Sequence, residues 1–218
     1  MPRFSRPIIA AAVAAWAMLG ATAASALPIT GLFNTGVDGA GTPLSVGASD
    51  SHYGIVETGG QAVVMTPHPV WLTRPDARWI WQAANGQPVN VTRTFRATFD
   101  LTGLDPATAI IEGFWAADNE GDILLNGAST GQSCGSFPST NPFKIGCNFT
   151  VNAGFVGGVN TLDFVVRDYG VIAGLLVDDI RGSAEAAAVP EPAALALFAF
   201  GLAGLGALRR RRAVRAVF

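Results

Sequence analysis

The sequence predicts an all-β protein. One exported domain, a single jelly-roll-like β-sandwich, is flanked by an N-terminal signal peptide and a C-terminal transmembrane helix. Three observations favour the sandwich: short runs rich in Val, Thr and Phe recur between turns, Gly and Pro are frequent, and no long stretch of the domain shows helical periodicity. The 163 residues between the terminal segments suffice for one domain, and no repeat of fixed period points to a solenoid or propeller.

The strands are predicted from apolar alternation bounded by turn residues. The clearest pattern is at 91–101, where Phe95, Ala97 and Phe99 share one face and polar residues share the other. The nearly continuous apolar run 109–116 is typical of a central strand buried on both faces. The nine predicted strands are at 29–34, 52–56, 62–65, 91–101, 109–116, 122–125, 149–151, 161–167 and 174–180.

The N-terminus has the three parts of a secretory signal. Arg3 and Arg6 precede an apolar stretch at 8–24, and small residues around Ala26 suit a signal peptidase. We therefore predict a signal peptide at 1–26, handled by signal peptidase and the secretion machinery. An uncleaved membrane anchor is the alternative interpretation.

The C-terminus carries a short apolar run followed by arginines. The sixteen residues at 193–208 span about 24 Å as a helix, short of the roughly 30 Å of a bilayer core. The arginine-rich end, 209–215, is predicted to stay on the cytoplasmic side, which leaves the domain outside. A marginal helix of this kind suits a temporary stop that a protease later removes.

Pro190, Glu191 and Pro192 stand directly before this apolar run. Together with the run and the arginines, in this order, they resemble a PEP-CTERM sorting signal. The resemblance implies recognition by exosortase, a membrane protease-transpeptidase, and a route from an inner-membrane intermediate with its body in the periplasm to the cell surface or matrix. A proline-rich linker before an ordinary tail anchor is the alternative. The predicted organisation is signal peptide 1–26, sandwich 27–181, linker 182–189 and sorting tail 190–218. The residues that match the sorting motif are Pro190, Glu191, Pro192, Arg209, Arg210, Arg211 and Arg212.

The exported segment 27–189 is acidic, with seven basic and fifteen acidic side chains and a net charge of −8. This charge argues against nucleic acid as a partner, because phosphates would be repelled. It suits a protein that meets neutral glycans or divalent cations. Cys134 and Cys147 both lie in this segment, and an oxidising compartment favours a disulfide between them over a metal site or a catalytic thiol.

Five segments of the domain share one resemblance: 99–104, 113–119, 123–127, 161–166 and 174–177. Together they resemble the middle and the last two strands of a galactose-binding-domain-like jelly roll. The resemblance implies that rim loops bind sugar and that a structural calcium is sometimes present, although neither property transfers to particular residues here.

Two groups of residues are candidate sites. Trp71, with His68 and Arg74 nearby in a Pro-rich loop, is the candidate sugar-stacking platform, and burial in the core is the alternative. The second group is rich in side-chain oxygens, which calcium prefers, and hydrogen bonding within a turn is its alternative. It consists of Asp118, Asn119, Glu120 and Asp122, and the neighbouring pair Asp178 and Asp179 is similarly ambiguous.

These observations predict a non-enzymatic surface or matrix protein that binds carbohydrate or exopolysaccharide weakly and needs no cofactor beyond a possible structural calcium. A secreted polysaccharide-acting hydrolase is the alternative, since two of the fifteen acidic side chains of 27–189 could converge in space. No Gly-x-Ser-x-Gly nucleophile motif is present. An ice-binding protein would need a regular Thr-rich face, which the sequence does not show.

Overall fold

The computed structural model describes residues 26–188 and residue 201. This part of the chain is almost entirely β, with eleven strands, one four-residue helix (α1, Pro142–Ile145) and one 3-10 turn at Pro106–Thr108. The strands are β1 Ala26–Pro28, β2 Ser49–Ile55, β3 Gln61–Val64, β4 Ile80–Trp81, β5 Thr92–Asp100, β6 Ile110–Asp118, β7 Glu120–Leu125, β8 Ala128–Cys134, β9 Cys147–Val151, β10 Val159–Arg167 and β11 Gly174–Glu185.

All strand pairs are antiparallel, and they form one hydrogen-bonded path in the order β8-β7-β10-β5-β2-β3-β4-β11-β6-β9, with β1 on β11. The path folds back on itself. The ring of Trp115 in β6 lies 5.6 Å from that of Phe164 in β10, and the ring of Phe149 in β9 lies 5.8 Å from it. Two layers therefore face each other across an aromatic core, which confirms the predicted all-β sandwich.

The alternation predicted for β5 is confirmed, because Phe95, Ala97 and Phe99 are buried and Thr98 is exposed. In β10 the predicted inward residues are buried as well, but Asp163, predicted to face solvent, is also buried. Its carboxylate accepts two hydrogen bonds from the guanidinium of Arg96 in β5, at 2.8 and 2.7 Å. The long arginine side chain covers the carboxylate and supplies the charge that makes its burial tolerable.

The first strand is not at 29–34, as predicted, but at β1. Ile29 donates one backbone hydrogen bond to Gly182, and Gly31 then turns the chain away with a positive φ of 88°. The last strand extends beyond the prediction, so residues 182–185 of the predicted linker belong to β11. Their small side chains fit there because β11 is paired on both sides, with β6 and with β1, and Ala184 is buried.

Strand β8 was not predicted at all. Its sequence, Ala-Ser-Thr-Gly-Gln-Ser-Cys, is polar on both faces because most of this edge strand faces solvent. The helix α1 was also missed, inside the segment between the two cysteines.

The chain divides into two compact units after Ala186. Within residues 26–188 and at residue 201, no helix is long and apolar enough to cross a membrane. The predicted signal peptide, except Ala26, and the predicted transmembrane helix at 193–208, except Gly201, lie outside the described residues.

Candidate functional site

Trp71 is a core residue, so the prediction of an exposed platform at this position is wrong. Its side chain is only 5% exposed. The ring lies 4.3 Å from that of Trp79 and 6.3 Å from that of Phe143. A turn closed by the Trp71 backbone N–H and the His68 carbonyl, at 2.9 Å, brings the indole inward. It occupies the space above Gly174, where a Cβ atom would lie 2.8 Å from the Trp71 ring.

The two residues predicted beside Trp71 are used within the domain. The Arg74 guanidinium lies 3.9 Å from the centre of the Phe114 ring, and its Nε atom is 3.5 Å from Asp178 Oδ2. The other oxygen of Asp178 accepts a hydrogen bond from Asn34 at 2.9 Å. His68 Nδ1 accepts the backbone N–H of Val70 at 3.3 Å, which stabilises the turn. The three residues predicted to form this site are therefore buried or engaged in contacts within the domain.

The predicted calcium ligands do not converge. Asn119 Oδ1 accepts the backbone N–H of Tyr169 at 2.7 Å, and Asp122 pairs with Arg167 at 2.6 Å. Asp118 ends β6 and Glu120 begins β7, so the chain passes from one strand to the next within the cluster. Among the residues that the structure describes, no three His, Cys, Asp or Glu side chains come together in a way that could hold a metal ion.

Two members of that acidic cluster instead hold a pair of exposed aromatic rings, which we call the aromatic platform and define as Phe137 and Tyr169. The rings are 49% and 47% exposed, and their centres lie 4.9 Å apart with 33° between their planes. Glu120 bonds both residues: one oxygen accepts the Phe137 backbone N–H at 2.8 Å and the other accepts the Tyr169 hydroxyl at 2.7 Å.

The electrostatics of the platform follow from these bonds. The backbone N–H of Phe137 and then the hydroxyl of Tyr169 lower the pKa of Glu120, and the bond to Glu120 raises the pKa of Tyr169. At neutral pH the carboxylate is therefore ionised and the phenol protonated, which gives a strong charge-assisted hydrogen bond. With the bond from Tyr169 to Asn119, the tyrosine is fixed at both its backbone and its hydroxyl.

Phe137 reaches Glu120 because the segment between the cysteines lies directly against the end of β7. Gly135, with a φ of 95°, makes this close approach possible. A Cβ atom there would lie 2.9 Å from the Asn119 carbonyl oxygen and 3.0 Å from Glu120 Cβ. The predicted Cys134–Cys147 disulfide is confirmed, and it closes the segment that carries Phe137.

Two buried carboxylates adjoin the platform in sequence, since Asp118 precedes Asn119 and Asp168 precedes Tyr169. Each carboxylate has one buried oxygen, Oδ1, without a hydrogen-bond partner among the described residues. Burial raises the pKa of Asp118 to about 7, and the charge of Asp168 adds to this effect. Burial also raises the pKa of Asp168, although Asn90 and Gly170 donate backbone hydrogen bonds to its Oδ2 atom at 2.6 and 3.1 Å.

Neither platform residue was singled out from the sequence. The available signal was local: Tyr169 follows a predicted strand and precedes a glycine, and Phe137 lies in a segment of Gly, Pro, Ser and Asn. An aromatic residue in a turn-rich segment has few apolar neighbours in sequence to share a buried face with. Trp71 also lies in a turn-rich segment, but Val70 and Leu72 flank it, whereas neither Phe137 nor Tyr169 has an aliphatic neighbour of that size.

No curated protein sequence matches this chain. Two solved structures are similar over most of their own length. CBM35 from Paenibacillus barcinonensis is 17% identical with a TM-score of 0.33, covering 63% of this chain and 94% of that one. A family 35 carbohydrate binding module from an environmental isolate is 14% identical with a TM-score of 0.34, covering 65% and 97%. The predicted identity of the tail is confirmed, because residues 188–212 match the PEP-CTERM protein-sorting motif.

Proposed function

We propose that this is an exported surface protein whose sandwich binds a neutral glycan on the aromatic platform without catalysing a reaction. The observation that carries the proposal is the pair of half-exposed rings of Phe137 and Tyr169, fixed side by side by Glu120. Exposed apolar surface is costly to maintain, and when it is held rigidly it indicates a binding site.

The platform chemistry matches a sugar ring. A pyranose has one apolar face of C–H groups that stacks on an aromatic ring, and its hydroxyl groups need nearby polar partners. Asn119 and the ionised Glu120 lie beside the rings and supply such partners. Because the Tyr169 side chain and the Phe137 backbone are already held by Glu120, binding loses less conformational entropy than it would on free side chains.

Charge supports a neutral ligand over an anionic one. The segment 27–189 carries a net charge of −8, and the platform contains the carboxylate of Glu120. An anionic polymer would be repelled both by the whole domain and at the site. Neutral exopolysaccharide therefore fits the surface better than nucleic acid or a uronate-rich chain.

Delivery follows from the tail. The sorting motif supports handling by an exosortase-type membrane protease after export, with the domain first in the periplasm and then at the cell surface or in the matrix. The predicted signal peptide supplies the export step. The domain would thus reach a compartment in which polysaccharide is abundant.

The test is affinity electrophoresis of the full chain, purified in detergent, through gels that contain glucomannan or galactomannan. We expect Tyr169→Ala and Phe137→Ala each to weaken retardation at least tenfold. Tyr169→Phe keeps the ring and should retain most of the binding. Val156→Ala alters an exposed apolar residue on another loop and serves as the control. If every polysaccharide that retards the wild-type protein retards Tyr169→Ala equally, the aromatic platform is not the binding site.

The hydrolase alternative needs two carboxylates that reach a glycosidic bond. Burial raises the pKa values of Asp118 and Asp168, and the charge of Asp168 raises the pKa of Asp118 further, but the Oδ1 atoms of both are buried. We therefore favour binding without turnover. Incubation of the retarded polysaccharide with wild-type protein should release no reducing ends, whereas release that disappears in Asp118→Asn would support the hydrolase.

A further inference from the structure

A cavity of about 500 Å³ opens on the outer side of the sheet, away from the platform. We call it the hairpin groove and define it by Phe33, His52, Gly54, Gln61, Arg96 and Thr98. None of these residues takes part in the aromatic platform. The groove therefore needs its own explanation.

The groove exists because β2 pairs incompletely with its neighbours. The pairing of β2 with β3 is irregular, because the register shifts between Asp50 and Gly54. The pairing of β2 with β5 is short and consists of two residue pairs, Gly54 with Arg96 and Ile55 with Phe95. Beyond this point β5 has no β2 partner, so the surface around Thr98 stays open. Gly54 lines the groove and has no side chain to fill it. A Cβ atom at this position would have its nearest neighbour 4.0 Å away.

One wall of the groove is a stack of two rings. Phe33 and His52 are parallel within 11°, with ring centres 3.7 Å apart. The Phe33 carbonyl accepts the Tyr53 hydroxyl at 2.7 Å, and the His52 backbone N–H is bonded to Asp50 at 2.9 Å, so both residues are held in place. His52 Nε2 is buried without a partner among the described residues, so the imidazole contributes the face of its ring to this wall and no hydrogen-bonding nitrogen at this position.

The opposite wall is polar but carries no net charge. Arg96 gives its Nε and Nη2 atoms to Asp163, while its Nη1 atom makes no hydrogen bond to any described residue. The positive charge of the guanidinium is therefore balanced by the Asp163 carboxylate, and its Nη1 group can still donate hydrogen bonds to a ligand. The exposed hydroxyl of Thr98 lies beside it. An apolar ring wall facing uncharged hydrogen-bonding groups is the combination that a neutral sugar needs.

We propose that the hairpin groove is a second glycan site, which takes one pyranose residue of a neutral polysaccharide. The apolar face of the sugar lies on the Phe33–His52 stack, and its hydroxyl groups bond to Arg96 and Thr98. The choice of ligand class rests on the proposed function, whereas the groove itself is independent of the platform. With two sites the protein is bivalent, so it binds a polymer more tightly than a short oligosaccharide, or links two chains.

The two sites are separated by a short stretch of β10. Asp163, which holds Arg96, is six residues before Tyr169, a distance of at most about 20 Å along the chain. This distance is shorter than a polysaccharide of a few tens of sugar residues.

The experiment counts sites with short ligands. Cellohexaose, mannohexaose and xylohexaose are titrated calorimetrically into the full chain in detergent, followed by the matching polymer. Gly54→Phe places a ring in the groove, where the backbone leaves room for it. Gly157→Phe makes the same change at another open glycine and is the control. Thr98→Tyr narrows the groove from an exposed position and replaces Gly54→Phe if that variant fails to fold.

We expect two sites per chain in wild type and in Gly157→Phe, and one in Gly54→Phe and in Tyr169→Ala. Apparent affinity for the polymer should fall at least tenfold in either single-site variant. If Gly54→Phe and Thr98→Tyr both bind like wild type, the groove proposal is overturned and the platform is unaffected. If Gly54→Phe abolishes binding and Tyr169→Ala leaves it unchanged, the groove stands and the proposed role of the platform fails.

Discussion

The Cys134–Cys147 disulfide joins the last residue of β8 to the first residue of β9. These two strands lie at opposite ends of the hydrogen-bonded path, so the disulfide connects the two edges of the sheet. Within residues 26–188, no ladder of backbone hydrogen bonds joins β8 to β9. The disulfide thus joins two edge strands that do not pair with each other. It also constrains the segment that carries Phe137.

Reduction of this disulfide should destabilise the domain. A closed loop of this length is worth about 3 kcal/mol in the chain-entropy model, and for a domain of this size that lowers the melting temperature by roughly 6–12 °C. The chain contains only two cysteines, so a reductant breaks no other bond. Calorimetry with and without reductant measures the change. An unchanged melting temperature after complete reduction, confirmed by thiol titration, would contradict the prediction.

Asp118 makes stability depend on pH. Its pKa is about 7 in the folded state and near 3.8 in the unfolded chain, so the folded state binds the proton more tightly. The contribution of Asp118 to the free energy of unfolding is therefore greatest below about pH 4. It decreases as the pH rises towards 7 and does not change further above that pH.

Asp118→Asn removes this titration. We expect the free energy of unfolding of the variant to exceed that of wild type by about 2–4 kcal/mol at pH 8 and by much less at pH 5. The reason is that each unit of pKa difference between the folded and unfolded states corresponds to about 1.4 kcal/mol. Urea unfolding at the two pH values measures the difference. Identical pH profiles for the variant and wild type would show that Asp118 is not the titrating group.

Trp71→Ala should affect stability and not binding. The indole packs against Trp79 and Phe143, and truncation of a buried tryptophan costs about 3–5 kcal/mol. Glycan affinity measured well below the melting temperature should match wild type, because the platform lies on other residues. A selective loss of binding with full stability would restore Trp71 as a ligand residue.

Removal of residues 193–218 should leave the domain folded. The core cluster lies within residues 29–184, and the last strand ends at Glu185. We expect the truncated chain to be soluble without detergent and to melt within about 2 °C of the full chain, since every member of the core cluster of the described residues is kept. Circular dichroism and sedimentation velocity measure both properties, and an aggregated or unfolded product would show that the tail contributes to the fold.

Local alternation predicted the interior strands well and the edges poorly. In β5 the buried and exposed residues alternate as the sequence indicates, because the strand is paired along its length with β10. The sequence of β8 has no apolar face, so alternation could not predict this strand. At 182–185 the small residues resemble a linker, and only pairing with β1, more than 150 positions away, makes them a strand.

The candidate site was predicted only in part. The segment 118–122 was recognised as chemically unusual, and Asn119 and Glu120 do take part in the site, but they bind Tyr169 and Phe137. Those contacts join residues 17 to 50 positions apart. Residue type favoured Trp71, whereas exposure depends on packing that the sequence does not reveal.

The pairing of β11 determines which end of the sandwich holds the first and last strand residues. Ala26 lies opposite Glu185, so β1 begins and β11 ends at one end of the sandwich, where Ser183 also pairs with the start of β6. Gly174 pairs with Asp118 at the far end of β6, about 26 Å away. Asn119, which follows Asp118, accepts the backbone N–H of Tyr169, so a ligand on this tyrosine would lie at the end of the sandwich opposite to Ala26 and Glu185.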